Sequence, residues 1–238
     1  MMPLNPSLRL LCLGLLILCF SFASACRKQE QEQRKTFIDF LEMNILAAAD
    51  ANLVQMSDET RKKVGIYGKH FDVIATYSRE LGDVNARLAG EKTRIAALGP
   101  VSMDKLGSER ARLEQIVAAC SRSVQHIEVI RAKADAAKAA LKQPEDVQAV
   151  FARAYEKEVS GFAAASRVLC SVQRDFYAEA LRMCVFLERH KEKIQIKNKT
   201  VTIEEQALLQ EYNVLQKVLE EKSQKMQAAL AYVNHIEE

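Results

Sequence analysis

Apolar side chains recur every seven residues at Tyr67, Ile74, Leu81, Leu88 and Ile95. They do so again at Leu106, Leu113, Cys120, Ile127, Ala134 and Leu141, and a third time at Tyr155, Phe162, Leu169, Phe176 and Met183. A period of seven keeps one seam on the same side of an α-helix over many turns, and a strand, whose side chains alternate, has no use for it. Each run therefore predicts a helix lying along a partner nearly parallel to its own axis. A fourth seam, Leu208, Tyr212, Leu215, Leu219, Met226, Leu230 and Val233 with Lys222 interrupting it, follows Thr202-Ile203-Glu204-Glu205, which reads as a capping box opening the last helix.

The punctuation between these runs sets their direction. Ser57-Asp58-Glu59 offers a helix start, while Gly99-Pro100 and Gln143-Pro144 are connectors short enough to make neighbours antiparallel. Pro144 breaks one helix and suits the first turn of the next. The expected fold is all-α: an elongated antiparallel helical bundle of about four long helices, roughly 35–45 residues and 50–65 Å each. A short helix carrying Phe37, Ile38, Phe40, Leu41, Ile45 and Leu46 should precede them. One small β-hairpin is expected where Ile194-Gln195-Ile196 and Thr200-Val201-Thr202 flank Lys197-Asn198-Lys199. The seams predict a core of Leu81, Leu88, Leu113, Ile127, Phe162, Leu169, Phe176, Leu215 and Leu219. Glycines inside helices each cost about 1 kcal/mol relative to Ala, so bends are expected near Gly65–Gly68, Gly90 and Gly161.

The amino-terminal segment has another character. Arg9 is the only charged side chain before residue 26, an apolar run extends from Leu10 to Phe22, and Ala23-Ser24-Ala25 precedes Cys26. The apolar segment up to Ala25 makes about 24 Å of helix, short of a hydrocarbon core of roughly 30 Å, so it reads as a secretion signal. Small residues directly before a cysteine resemble the lipobox of bacterial lipoproteins, in which Cys26 is acylated and becomes the mature first residue. Ala-Ser-Ala also suits the peptidase that leaves a soluble secreted product, and an uncleaved anchor is the third reading. Arg27, Lys28, Arg34 and Lys35 follow the run, the reverse of the usual orientation bias. The expected organisation is a signal peptide at 1–25, a tether at 26–33 and a helical bundle domain at 34–238.

Lys and Arg number 34 against 31 Asp and Glu, for a net charge of +3, and loss of Arg9 with the signal leaves +2. No nucleic-acid partner is implied by so weak a field. A metal site is not expected either: the positions three before His70, His126, His190 and His235 hold Tyr67, Ser123, Leu187 and Tyr232, where a di-iron bundle needs Glu. The four histidines are read as surface or seam-edge residues. No nucleophile elbow, phosphate loop or dinucleotide fingerprint occurs, so no cofactor and no catalytic residue is expected. Tyr155, Phe162, Phe176 and Met183 form a stripe that reads first as core and second as the lining of an apolar-ligand cavity.

Three cysteines remain if Cys26 is acylated. Cys170 and Cys184 lie about 20 Å apart along one helix and cannot pair. Cys120 and Cys170 stand equally far from the Pro144 connector, which makes them a candidate disulfide; the simpler reading is that both are small buried thiols.

Arg34-Lys35-Thr36-Phe37-Ile38-Asp39-Phe40-Leu41, Ala134-Asp135-Ala136-Ala137 with Ala140-Leu141-Lys142-Gln143 and Val150-Phe151, and Glu211-Tyr212-Asn213 together resemble the YiaF-like family of bacterial envelope lipoproteins. The resemblance implies a membrane-associated envelope protein and supports the lipobox, and it assigns neither an activity nor binding residues. The expected function is a lipid-anchored helical interaction or scaffold module in the periplasm, facing an envelope protein or the cell wall and not an enzyme. The competing expectations are a bundle that carries an apolar ligand and a hydrolase without a recognisable motif.

Overall fold

The computed structural model describes residues 27–48, 55–96, 105–197 and 200–237. Helix α1 covers 27–41 and continues into a π-helical turn, Glu42–Leu46. Then come α2 (Asp58–Val64), α3 (Gly68–Ala96), α4 (Leu106–Ala139), α5 (Glu145–Tyr155), a second π turn (Glu156–Gly161), and α6 (Phe162–Arg189). A hairpin of β1 (Ile194–Lys197) and β2 (Thr200–Ile203) leads to α7 (Gln206–Glu237). The fold is thus the expected antiparallel helical bundle with one small hairpin, whose register pairs Ile194 with Ile203 and Ile196 with Val201.

Ion pairs mark the antiparallel alignment. Lys133 meets Glu80 and Arg122 meets Glu91 between α4 and α3. Arg167 meets Glu128 and Arg110 meets Glu188 between α6 and α4, and Lys222 meets Asp175 between α7 and α6. The pair α4–α6 therefore runs the length of the molecule, α3 flanks the carboxyl-terminal part of α4, and α7 packs on α6. Ser57 caps α2 as expected, accepting from the Thr60 amide at 3.1 Å, and Pro144 precedes α5. Gly65, at φ +56°, turns α2 back toward α3, and a Cβ there would overlap the Gln33 carboxamide. Gly90 lies within α3, which continues through it without a break.

Several expectations are corrected. The polar stretch 27–33, read as a tether, is helical from residue 27 and forms the first turns of α1. Three of the long helices are shorter than expected, at 29, 34 and 32 residues, whereas α5, its π turn and α6 run continuously from 145 to 189. Thr202 pairs with Gln195 inside the hairpin, so the capping box does not form; α7 starts at Gln206, with the Leu209 amide bonded to the Glu205 carbonyl at 3.0 Å. The Gly99-Pro100 connector lies outside the described residues.

The seam of α6 is displaced by one residue. A π turn spreads its hydrogen bonds over one more residue than an α turn, so it shifts every later side chain around the helix axis. Tyr155 is buried on the expected seam, but beyond the π turn the buried positions are Ala163, Cys170 and Cys184, with Tyr177 half-buried in the same series. Phe162, Leu169, Phe176 and Met183 are half-buried beside it. Of the expected core, Leu81, Leu88 and Ile127 are buried, and Leu113, Leu215 and Leu219 are half-buried.

Candidate functional site

The polar and aromatic groups with unusual surroundings gather at one end of the bundle, where α1 lands on α2, α3 and α5. On α1, Phe37, Phe40 and Leu41 follow the three- and four-residue spacing of a single helix face, and all three are buried. The Phe37 ring stacks on Tyr67 with centroids 5.6 Å apart, and Phe40 meets the face of Phe71 edge-on at 5.1 Å. Tyr67 donates its phenol hydrogen to Glu30 at 2.6 Å, and Arg34 reaches Asp146 at 3.3 Å. Burial, followed by the Glu30 carboxylate, pushes the Tyr67 hydroxyl up to about 12, so it stays a donor. The amino-terminal turns of α1 are therefore fastened to the body by packing and by two polar contacts.

His70, expected at the surface or at a seam edge, sits in the same place and is buried. Its ring is only 8% exposed, edge-on to both Phe37 and Tyr67, and its Nδ1 lies 3.1 Å from the Gln143 amide nitrogen. Burial lowers its pKa, which keeps it neutral with Nδ1 accepting from Gln143. His126 is exposed on a groove and His190 is half-buried against Phe186 at 4.9 Å. Among the described residues no three His, Cys, Asp or Glu side chains are placed to share a metal ion.

Deeper in the same end lies a tyrosine–carboxylate pair. Tyr155 donates to Asp135 Oδ1 at 2.6 Å, Arg131 holds the same carboxylate at 3.0 Å, and the Lys138 ammonium stands 4.3 Å from the Tyr155 ring. Burial and the Asp135 bond raise the Tyr155 hydroxyl well above its ordinary value. Burial alone would raise the Asp135 carboxyl, but hydrogen bonds from Tyr155 and Arg131 outweigh it and hold the pKa low. This arrangement locks a proton on Tyr155 rather than preparing it for transfer. Nearby, the Tyr77 hydroxyl and Ser160 Oγ are buried without a hydrogen-bond partner, and burial lifts Tyr77 to about 12.

The two π turns face each other. Lys157, from the second, donates to the carbonyls of Ile45 and Ala48 at 2.8 and 2.5 Å, capping the carboxyl end of the first with a cation. Glu158 beside it is 4% exposed, and burial raises its pKa. Neither role was legible, because the acceptors of Lys157 lie more than a hundred residues away.

The candidate sites named from the sequence fall as follows. Cys26, the proposed lipidation site, and the apolar run from Leu10 to Phe22 that was read as a signal lie outside the described residues. Cys120 and Cys170 are both buried in the α4–α6 seam, and Cys184 donates to the Leu106 carbonyl at 3.3 Å. Tyr155 is inside the core, and none of Tyr155, Phe162, Phe176 and Met183 lines any of four grooves among the described residues, of about 210 to 630 Å³, that involve α2, α3 and α4. Among the described residues no helix is long and apolar enough to cross a membrane.

Residues 14–234 match the model of the family described as protein of unknown function (DUF3053). The uncharacterized protein YiaF of Escherichia coli K12 is 25% identical over 154 residues, which is 64% of each chain, and YiaF of E. coli O157:H7 and of Shigella flexneri match equally. The match thus spans less than two thirds of the length of these curated relatives. No solved structure matches. With a family model that covers nearly the whole sequence, the chain belongs to the DUF3053 family.

Proposed function

We propose that this chain is a lipid-anchored protein of the bacterial envelope, acylated at Cys26 after removal of residues 1–25, with its bundle in the periplasm as a non-catalytic interaction or scaffold module. Its partner on this reading is another envelope protein or the cell wall. The observation that carries it is the junction of anchor and body: the residue after Cys26 already lies in α1, whose Phe37, Phe40 and Leu41 are buried in the core. A membrane anchor at that position would be coupled to the body without a flexible linker, which suits a part that must hold an orientation. The tyrosine–carboxylate pairs bind their protons tightly, and the grooves lie open on the surface with charged residues such as Arg87, Glu91 and Arg122 in their linings, which favours a scaffold over a reacting site or an enclosed carrier cavity.

Metabolic labelling with a fatty-acid analogue tests the anchor. The wild type should be marked and Cys26→Ser should not; label retained in Cys26→Ser removes the lipoprotein reading. Crosslinking in intact cells then identifies the neighbour, and recovery of lipid alone, with no protein or cell-wall adduct, contradicts the scaffold role.

A further inference from the structure

Three segments distant in sequence meet at the tip from which α1 starts. The turn between α2 and α3 is one, closed by Arg61 on α2, which pairs with Asp72 on α3 at 2.8 Å. The first turns of α1 are the second, fixed there by the Glu30–Tyr67 bond and by Gln33 against Gly65. The α4–α5 connector is the third, joined through Gln143 to His70. Over 27–34, 62–69 and 138–146 these segments hold eight Lys and Arg against four Asp and Glu. Two of those carboxylates are engaged, Glu30 by Tyr67 and Asp146 by Arg34. The chain from residue 27 onward has a net charge of only +2, so the tip is positive and the rest of the body net negative.

Arg27, Lys28, Lys62, Lys63, Lys69 and Lys142 are all exposed at this tip. In their midst stands Ile66, 62% exposed on the short 3-10 turn Gly65–Tyr67. The turn is not a loose loop: Val64 and Tyr67 on either side of it are buried, so the isoleucine is held outward on a firm base. An exposed apolar side chain on a tip rich in cations fits the boundary between lipid headgroups and acyl chains, where apolar burial and attraction to anionic lipid act together.

We propose that this tip is a docking surface for an anionic phospholipid membrane, with Ile66 entering the interface and the surrounding lysines on headgroup phosphates. The occupant follows from chain continuity and charge: the described chain starts at the tip, one residue after Cys26, so acyl chains on that cysteine bring the bilayer to this end and no other. The inference rests on the anchor reading. It adds that the bundle stands on the surface by a fixed face, with the continuous helix 145–189, about 65 Å long, leading away to the hairpin.

The chain contains no tryptophan, so a single substitution reports its own surroundings. Full-length Ile66→Trp, and Ala140→Trp on the neighbouring connector as a second reporter, are reconstituted into phosphatidylethanolamine vesicles containing brominated phosphatidylglycerol. Val214→Trp, equally exposed on α7, is the control. Emission of the two tip reporters should fall at least about twofold and shift to the blue, while Val214→Trp is unchanged. Lys62→Glu with Lys69→Glu and Lys142→Glu should restore the tip emission while the protein still floats with the vesicles. Unquenched tip reporters on protein that floats overturn the docking and leave the anchor standing. Protein that does not float removes the anchor and the docking with it. Equal quenching by brominated phosphatidylcholine, or quenching that survives the charge reversals, overturns the requirement for anionic lipid.

Discussion

Among the described residues, 26 buried hydrophobic side chains form one cluster at the end where α1, α2 and α5 gather, seven of them aromatic. Toward the hairpin, seven buried residues form a second cluster whose one aromatic is Phe186. The same two helices, α4 and α6, run through both. The difference is in what surrounds them: α1, α2, α3 and α5 enclose the first region, whereas α7 and the hairpin cover the second from fewer sides. A seam supplies one buried line per helix, and a thick core needs neighbours on several faces. The amino-terminal end should therefore carry most of the stability, and the hairpin end should open first.

The largest effect is expected from testing how α6 is set against α4 in both regions. Deleting the exposed Val168 turns every later side chain by about 100°, taking Cys170, Tyr177 and Cys184 off the seam. Cooperative urea unfolding should be lost. Deleting Ser160 instead removes the extra residue of the π turn and lets the helix continue with the same inward series. Its unfolding free energy should stay within about 1 kcal/mol of wild type. Equal damage from the two deletions would refute the displaced seam.

Next comes truncation in each core. Phe151→Ala, at a fully buried position in the larger cluster, should cost about 3–5 kcal/mol, whereas Ile203→Ala at the edge of the smaller one should cost about 2 kcal/mol. Matching losses would erase the contrast between the two ends.

A smaller effect follows from Glu158. Burial raises its pKa in the fold above the ordinary 4.5, so the folded state holds the proton more tightly than the unfolded chain. The stability this contributes is present below the unfolded value and is lost as pH rises through the folded one. Glu158→Gln should therefore melt higher than wild type at neutral pH, with the gain shrinking toward pH 4. His70 acts in the opposite sense: its pKa lies below 6.5, so acidification below that value weakens the fold in both proteins and cancels from the difference. A gain independent of pH would contradict a buried, titrating Glu158.

The smallest effect belongs to the hairpin end. Lys193 meets Glu205 at 2.7 Å with both side chains about half exposed, so Lys193→Ala should cost under about 1 kcal/mol and nothing in high salt.

The unbroken stretch Tyr67 to Leu88 was legible because α3 keeps one period throughout, and all four seam residues there are buried. The same reasoning missed by one residue in α6, since a π turn leaves no pattern of its own; Gly161 at its end was the only sign of irregularity. Residues 27–33 were judged by polarity, although Arg, Lys, Gln and Glu are good helix formers, and tertiary docking of Phe37 and Tyr67 decides their state. Thr202 was ambiguous between cap and strand, and its pairing with Gln195 wins. The tip was illegible for another reason: its charges come from three segments that only the fold brings together.

Native-state hydrogen exchange on the full-length protein reconstituted in vesicles, followed by mass spectrometry, bears most directly on the two-ended account. Amides of α3 within 68–91 and of the stretch 145–161 should exchange only through global unfolding, while those of α7 within 206–231 should exchange through a separate opening at lower free energy. Equal protection of α7 and α3, rising and falling together with denaturant, would contradict it.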